Sequence, residues 1–129
     1  MGHHEYRPLS DQLIEVSERY GKPLLLTETG AEGSARPSWL HYVCNESRDA
    51  MARGADFRGI CWYPITAYPG WDNSRHAETG IFSTVVADGG RHVDERLLAE
   101  FEVQRALFAE AEAERKHSSR PRSVAAVRR

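Results

Sequence analysis

One acidic residue of this chain, Glu28, lies where a carboxylate is well placed to do chemistry. It follows the short apolar segment Leu-Leu-Leu-Thr at 24–27, which is typical of a parallel strand buried on both faces. Because side chains alternate along a strand, Leu24, Leu26 and Glu28 are predicted to share one face. Parallel α/β proteins build their active sites at the carboxyl ends of strands. Glu28 is therefore the best single candidate for chemistry, and the structural alternative is a carboxylate that caps the next turn or pairs with an arginine.

Helices and strands alternate along the chain and must position Glu28. Helical patterns cover about 10–20, about 37–54 and about 94–115, and strand patterns cover 24–28 and 58–64. Ser10 is the predicted N-cap of the first helix, and Gly21 ends it. The order helix, strand, helix, strand, helix predicts an α/β fold with a parallel sheet and right-handed crossovers. A long loop separates the second strand from the last helix, and loops of this kind are usually functional or disordered.

The predicted sheet is very small. Two parallel strands leave long unpaired edges, and parallel sheets need cover on both faces. We therefore expect the pattern to be part of a larger structure. Self-association of copies through the open sheet edges is one way to cover them.

Composition and charge exclude several classes of protein. The 129 residues include 17 basic and 19 acidic side chains, for a net charge of −2, which suits one small domain. No apolar run approaches the roughly 20 residues of a membrane helix, and no secretory signal follows Met1, so we expect a cytoplasmic protein without a membrane partner. Residues 115–129 contain six Lys/Arg and no acid. Without interleaved aromatic residues they predict a disordered basic tail behind a domain at 1–114, and no nucleic-acid partner is expected.

The cysteines and histidines indicate no metal site. Cys44 and Cys61 form no metal-type pair, and we expect both to be buried thiols. The histidines lack the spacing of zinc ligands. The glycines after the first strand lack a phosphate-binding fingerprint, so neither a metal nor a cofactor is expected.

Four segments carry a resemblance to a known family. They read RPLS at 7–10, YGKPLLLTETG at 20–30, GICWYPI at 59–65 and PGWD at 69–72. Over roughly residues 7–108 the chain resembles the last quarter of a family 1-type glycoside hydrolase, a β-glucosidase-like protein of the clan built on (β/α)8 barrels. The resemblance implies an incomplete TIM barrel that covers approximately strands 7 and 8 with their helices.

The resemblance also implies roles for individual residues. In that family the Glu of the motif Pro-(apolar)3-Thr-Glu-x-Gly is the catalytic nucleophile, which implies this role for Glu28. In the family an aromatic residue at the end of strand 8 forms the floor of the sugar subsite. The resemblance implies that its counterpart here is Tyr63 or Trp62. The offset from Gly59 favours Tyr63, whereas Trp is the commoner residue in the family. The peptide after this aromatic is expected to be cis, at Tyr63-Pro64.

The loop after the second strand is the other expected contributor. Its aromatic and hydrogen-bonding side chains are of the kind that sugar hydroxyls require, and its family analogue lines the mouth of the barrel. Trp71 is expected either to bind the sugar at the rim or to anchor a surface loop.

The second carboxyl of a retaining glycosidase is missing from the pattern. In the family this acid/base residue belongs to an Asn-Glu pair after strand 4, and the one Asn-Glu here, at 45–46, falls inside the second predicted helix. Three other carboxylates lie in loops with no positional reason to face Glu28: Glu32, Asp72 and Glu78.

The sequence therefore predicts a glycoside hydrolase-like protein that acts on a carbohydrate. Its reaction would be retaining cleavage of β-glycosidic bonds, with Glu28 in the nucleophile position and no activity of this chain by itself. The alternatives are a non-catalytic α/β module that binds a carbohydrate or a protein, and a degenerate fragment.

Overall fold

Three α-helices and a pair of parallel strands form the frame of the protein. The computed structural model describes residues 6–70 and 72–118. The elements in chain order are α1 (Leu9–Tyr20), β1 (Leu24–Thr29), a 3-10 turn (Gly33–Ala35), α2 (Arg36–Ala52), β2 (Phe57–Trp62), β3 (Tyr68–Pro69), β4 (His76–Ala77) and α3 (Glu95–Ser118). The predicted order of helices and strands is confirmed. The predicted long loop additionally contains the short antiparallel pair β3 and β4.

Helix α3 reaches further than expected. It continues to Ser118, so residues 115–118 of the predicted tail are helical, and residues 119–129 lie outside the described residues. Although α3 has 24 residues, none of the helices in the described ranges is apolar enough over a sufficient length to cross a bilayer.

β1 and β2 pair in parallel, as predicted. Leu26 lies opposite Ile60 and Thr29 lies opposite Trp62, so three steps along β1 match two steps along β2. This mismatch is a β-bulge, which breaks the simple alternation of faces along the strand.

The helices cover one side of this small sheet. Leu40 and Cys44 of α2, Trp62 of β2 and Leu97 of α3 form the buried cluster. On the other side Leu25 is 53% exposed. The expectation of a strand buried on both faces is therefore wrong, because no described element packs on the side where Leu25 lies.

The exposure of Cys61 also differs from the expectation that both thiols are buried. Cys44 is buried as predicted, but Cys61 is exposed. Its neighbours in β2, Ile60 and Trp62, pack toward the helices. Side chains alternate along a strand, so Cys61 points to the uncovered side.

An ion pair between Arg36 and Asp94 joins the beginnings of α2 and α3. The guanidinium of Arg36 is nearly buried, donates to the carbonyl of Gly33 at 2.8 Å and pairs with Asp94 at 2.6 Å. The other carboxylate oxygen of Asp94 accepts the amide of Leu97 at 2.9 Å, which caps α3. Removal of one partner from such a buried pair costs about 3–5 kcal/mol. The ion pair thus holds the starts of α2 and α3 together at the carboxyl ends of β1 and β2.

Helix α1 is held at its N-terminus by a residue of α2. The helix begins after Pro8 without a side-chain cap of its own, so the predicted N-cap role of Ser10 is wrong. Instead, both the amide and the hydroxyl of Ser10 donate to the carboxylate of Glu46, at 3.0 and 2.8 Å. A carboxylate at this position satisfies an unpaired helix amide and complements the helix dipole.

Alkylation of the cysteines tests the open side of the sheet. Burial raises the pKa of the Cys44 thiol to about 11, so it is protonated as well as covered, whereas Cys61 is accessible. At about pH 8, where an ordinary thiol is partly ionised, we expect iodoacetamide to modify Cys61 and spare Cys44 in the folded protein, and to modify both after unfolding. Peptide mass mapping provides the measurement. Equal modification of both thiols in the folded protein would contradict this packing.

Candidate active site

Glu28 lies one residue before the end of β1 and is exposed. α2 begins shortly after β1 ends, and the pair between Arg36 and Asp94 brings the start of α3 to the same place. Glu28 therefore lies at the carboxyl end of the parallel strands, as the sequence predicts.

The neighbours of Glu28 in β1 show which side of the strand faces the helices. The hydroxyl of Thr29 accepts a hydrogen bond from the indole of Trp39 in α2 at 2.8 Å, so Thr29 faces the helices. Leu26 faces the same way, since it lines a groove with α2. The two residues between them, Thr27 and Glu28, are both exposed. Of these two, Glu28 lines the same groove as Leu26, in line with the shared face that alternation predicts.

Tyr63 is the aromatic residue that the fold brings into the neighbourhood of Glu28. It follows β2, is 44% exposed and packs against Tyr68 with ring centroids 6.4 Å apart. The adjacent phenol of Tyr68, with a smaller contribution from the Glu28 carboxylate, raises the pKa of Tyr63. The phenol therefore keeps its proton at neutral pH and can donate a hydrogen bond. The Tyr63-Pro64 peptide is cis, as predicted.

Gly30 allows the ends of the two strands to approach. The amide of Tyr63 donates to the carbonyl of Thr29 at 2.9 Å. A Cβ at Gly30 would overlap the carbonyl oxygen of Tyr63. Only glycine fits this crossing, which keeps Glu28 and Tyr63 in one region.

The other predicted aromatic residues differ in position. Trp62 is 7% exposed, packs edge-on against Phe101 and donates its indole N–H to the carbonyl of Thr79 at 3.2 Å. Its ring is therefore part of the core and is not available to a sugar, which leaves Tyr63 of the two candidates. Trp71 lies outside the described residues.

A groove of about 710 Å³ runs beside β1 toward Glu28. It is lined by α1, β1 and α2, and Glu28 is the one acidic residue among the described residues that line it. Trp39, Tyr42 and Tyr6 supply aromatic surface, and the hydroxyls of the two tyrosines are 2.8 Å apart. Sequence reasoning missed this aromatic surface, because Trp39 lies at helical spacing with apolar residues of α2 and no local pattern marks the two tyrosines.

Two other carboxylates, Glu32 and Glu46, are bound to residues away from the groove, and Glu78 lies in a separate cavity. Both oxygens of Glu32 accept hydrogen bonds from Arg75, which lowers the pKa of this carboxyl. An acid held ionised in this way is unsuited to donate a proton at neutral pH. Glu46 is bound to Ser10, and Glu78 lines a separate cavity with Arg36. Within the described residues, no group of three His, Cys, Asp or Glu could hold a metal ion.

Substitution of Gly30 tests the close crossing of the strands. Gly30→Ala forces a methyl group against the Tyr63 carbonyl, and we expect it to lower the free energy of unfolding by about 1–3 kcal/mol. Gly59→Ala is the matched control, because its Cβ would meet only the movable end of the Leu25 side chain. Urea unfolding followed by circular dichroism provides the measurement. An equal loss in the two variants would contradict a specific role of Gly30.

Comparison with known proteins shows a likeness of fold to solved glycosidases. No protein-family model and no curated protein matches the chain. Solved structures do match: a hyperthermophilic β-glucosidase mutant has a TM-score of 0.63 at 23% identity over 71% of this chain and 21% of its own. The β-glycosidase of Thermosphaera aggregans has a TM-score of 0.64 at 23% identity over 75% of this chain and 21% of its own. An aphid myrosinase has a TM-score of 0.62 at 20% identity over 75% of this chain and 23% of its own.

These matches confirm the predicted resemblance at the level of the fold. The chain spans about a fifth of the length of the structures that it matches. Its α/β arrangement is one found within TIM-barrel glycosidases.

Proposed function

We propose that Glu28 is the nucleophile of a retaining β-glycosidase site, and that this chain supplies the part of the site equivalent to about strands 7 and 8 of a (β/α)8 barrel. The observation that carries the proposal is an exposed carboxylate at the end of β1, near the exposed Tyr63, in a chain with the fold of TIM-barrel glycosidases. The carbohydrate substrate would bind over the open end of the sheet.

The proposed reaction proceeds in two steps. The Glu28 carboxylate attacks the anomeric carbon, the bond to the leaving oxygen breaks, and a glycosyl ester forms on Glu28. A second carboxyl gives its proton to the leaving oxygen, then takes a proton from water, which attacks the anomeric carbon and releases Glu28. Tyr63 would contribute a flat apolar ring beneath the sugar and a phenol that keeps its proton.

The second carboxyl must lie about 5–5.5 Å from the nucleophile in a retaining site. The groove at Glu28 holds no other acid among its described residues, and Glu32 and Glu46 are bound elsewhere. We therefore propose that the acid/base is supplied by further polypeptide, and that this chain by itself does not turn over ordinary glycosides.

A second candidate is a module that binds carbohydrate without cleaving it. The observation in its favour is the aromatic wall of the groove, with Trp39, Tyr42 and Tyr6, beside a single acid. Such a wall can hold a sugar ring whether or not a bond is cleaved.

A glycoside that needs no proton donor separates the two candidates. With a dinitrophenyl β-glucoside that carries fluorine beside the anomeric carbon, the leaving group departs without protonation, so the nucleophile alone suffices for the first step. We expect the protein to gain one covalently bound fluorosugar, located by peptide mass mapping on Glu28. Glu28→Gln should abolish the adduct completely.

Glu32→Gln is the matched control and should keep the adduct, because Glu32 is paired with Arg75. An adduct on another residue, or its persistence in Glu28→Gln, would contradict the proposed nucleophile. Saturable binding of glucosides without any adduct would favour the binding module.

A further inference from the structure

Aromatic side chains form a large part of the lining of the groove beside β1. Trp39 and Tyr42 of α2 pack with ring centroids 5.6 Å apart, and the hydroxyl of Tyr6 lies 2.8 Å from that of Tyr42. Trp39 is 40% exposed and Tyr6 is 57% exposed, so a ligand in the groove can reach both rings. The face of an aromatic ring is electron-rich and attracts cations within about 6 Å of its centroid.

Most polar side chains that line the groove already have partners within the protein. The indole of Trp39 donates to the hydroxyl of Thr29 at 2.8 Å, and the two tyrosine hydroxyls bond to each other. The side-chain amide of Gln12 donates to the carbonyl of Arg7 at 3.1 Å. These bonds leave few free donors and acceptors for the many hydroxyls of a sugar. The groove therefore suits a ligand with an apolar body better than a sugar ring.

One charged group of the groove is unpaired. In the part of the chain that the structure describes, no side chain donates a hydrogen bond to the Glu28 carboxylate or forms an ion pair with it. The other charged residue of the lining, Arg7, is paired with Glu15 at 2.8 Å. Its positive charge is therefore offset, whereas the negative charge of Glu28 is left for a ligand to neutralise.

The surroundings of Tyr6 add to this negative field. The hydrogen bond with Tyr42, with a smaller contribution from the Glu46 carboxylate, raises the pKa of Tyr6 to about 12. The phenol of Tyr6 therefore stays neutral, and a second carboxylate lies close enough to act on it. Negative charge thus lies near the aromatic rings as well as at Glu28, which favours a cation over a neutral ligand.

We infer that the groove binds an organic cation, a ligand with an apolar body and one ammonium group. The body would lie against Trp39 and Tyr42, and the ammonium group would reach Glu28. The volume of about 710 Å³ lies within the range of about 300–1,000 Å³ that is typical of ligand pockets. The inference goes beyond the proposed function, because this ligand is not a sugar and would bind whether or not Glu28 attacks a glycoside.

Three ligands with one body and different charges test the inference. They are phenylbutylamine, phenylbutanol and phenylbutyrate, each titrated into the full chain by isothermal titration calorimetry at low salt. At about pH 7.5 the amine is a cation and the butyrate is an anion. We expect the amine to bind at least about tenfold more tightly than the alcohol, and the anion to bind most weakly, because only the amine is attracted by the rings and by Glu28.

Substitutions locate the site. Glu28→Gln keeps the size of the side chain but removes its charge, and it should weaken amine binding at least about tenfold while leaving alcohol binding nearly unchanged. Tyr6→Leu replaces an exposed ring by an apolar side chain and should weaken amine binding about threefold. Glu32→Gln and Tyr20→Leu are the matched controls and should bind normally, because Glu32 is paired with Arg75 and Tyr20 does not line the groove.

A second measurement needs no variant. In the nuclear magnetic resonance spectrum of the unsubstituted chain, the amine should shift the indole N–H signal of Trp39, which lines the groove, more than that of Trp62, which lies in the core. This result decides the matter if circular dichroism shows that a variant is not folded.

Four outcomes overturn the inference: equal binding of the amine and the alcohol, undiminished amine binding by folded Glu28→Gln and Tyr6→Leu, no shift of the Trp39 signal, or a larger shift of that signal by methyl β-glucoside than by the amine. The last outcome would assign the groove to sugars. Amine binding without an adduct on Glu28 would contradict only the proposed nucleophile, and an adduct without amine binding would contradict only this inference.

Discussion

The parallel pairing of β1 with β2 is the constraint on which the rest of the structure depends. It brings the ends of the strands together, so that the Tyr63 amide bonds to the Thr29 carbonyl and Glu28 shares a region with the Tyr63 phenol. The pairing contains two register shifts, one between Leu24 and Leu25 and one between Leu26 and Thr29. The same two strands leave one edge and one side uncovered, so the geometry that builds the candidate site also leaves it open.

The helices secure this pairing from one side by contacts between elements distant in the sequence. The ion pair of Arg36 and Asp94 joins the starts of α2 and α3. At the start of α1, the Ser10 amide donates a hydrogen bond to the Glu46 carboxylate of α2. Arg36, Asp94 and Glu46 are charged groups that lose part of their contact with water, and hydrogen bonds offset that loss. Glu46 therefore serves as a structural carboxylate, consistent with its place inside a helix and away from the strand ends.

Local patterns predicted the elements and their parallel pairing, but not the register of the strands or which side chains the helices bury. Helical periodicity and the apolar run before Glu28 were enough to give the order of helices and strands, because these signals lie within single segments. The bulge is a property of the register between β1 and β2, so the alternation of Leu24, Leu26 and Glu28 could not reveal it. The exposure of Cys61 depends on what covers the sheet, and the choice of Tyr63 over Trp62 depends on which ring the helices bury.

Exposure affects both stability and chemistry in this fold. Leu25 leaves half of its surface in water, and full burial of such a side chain stabilises a fold by about 1.5–3 kcal/mol. Glu28 is exposed as well, and cleavage of ordinary glycosides in a retaining site needs a second carboxyl about 5–5.5 Å from the nucleophile. Exclusion of water from Glu28 would strengthen its attraction to the positive charge that develops on the sugar ring. The stability of the sheet and the proposed chemistry therefore both depend on what covers these two residues.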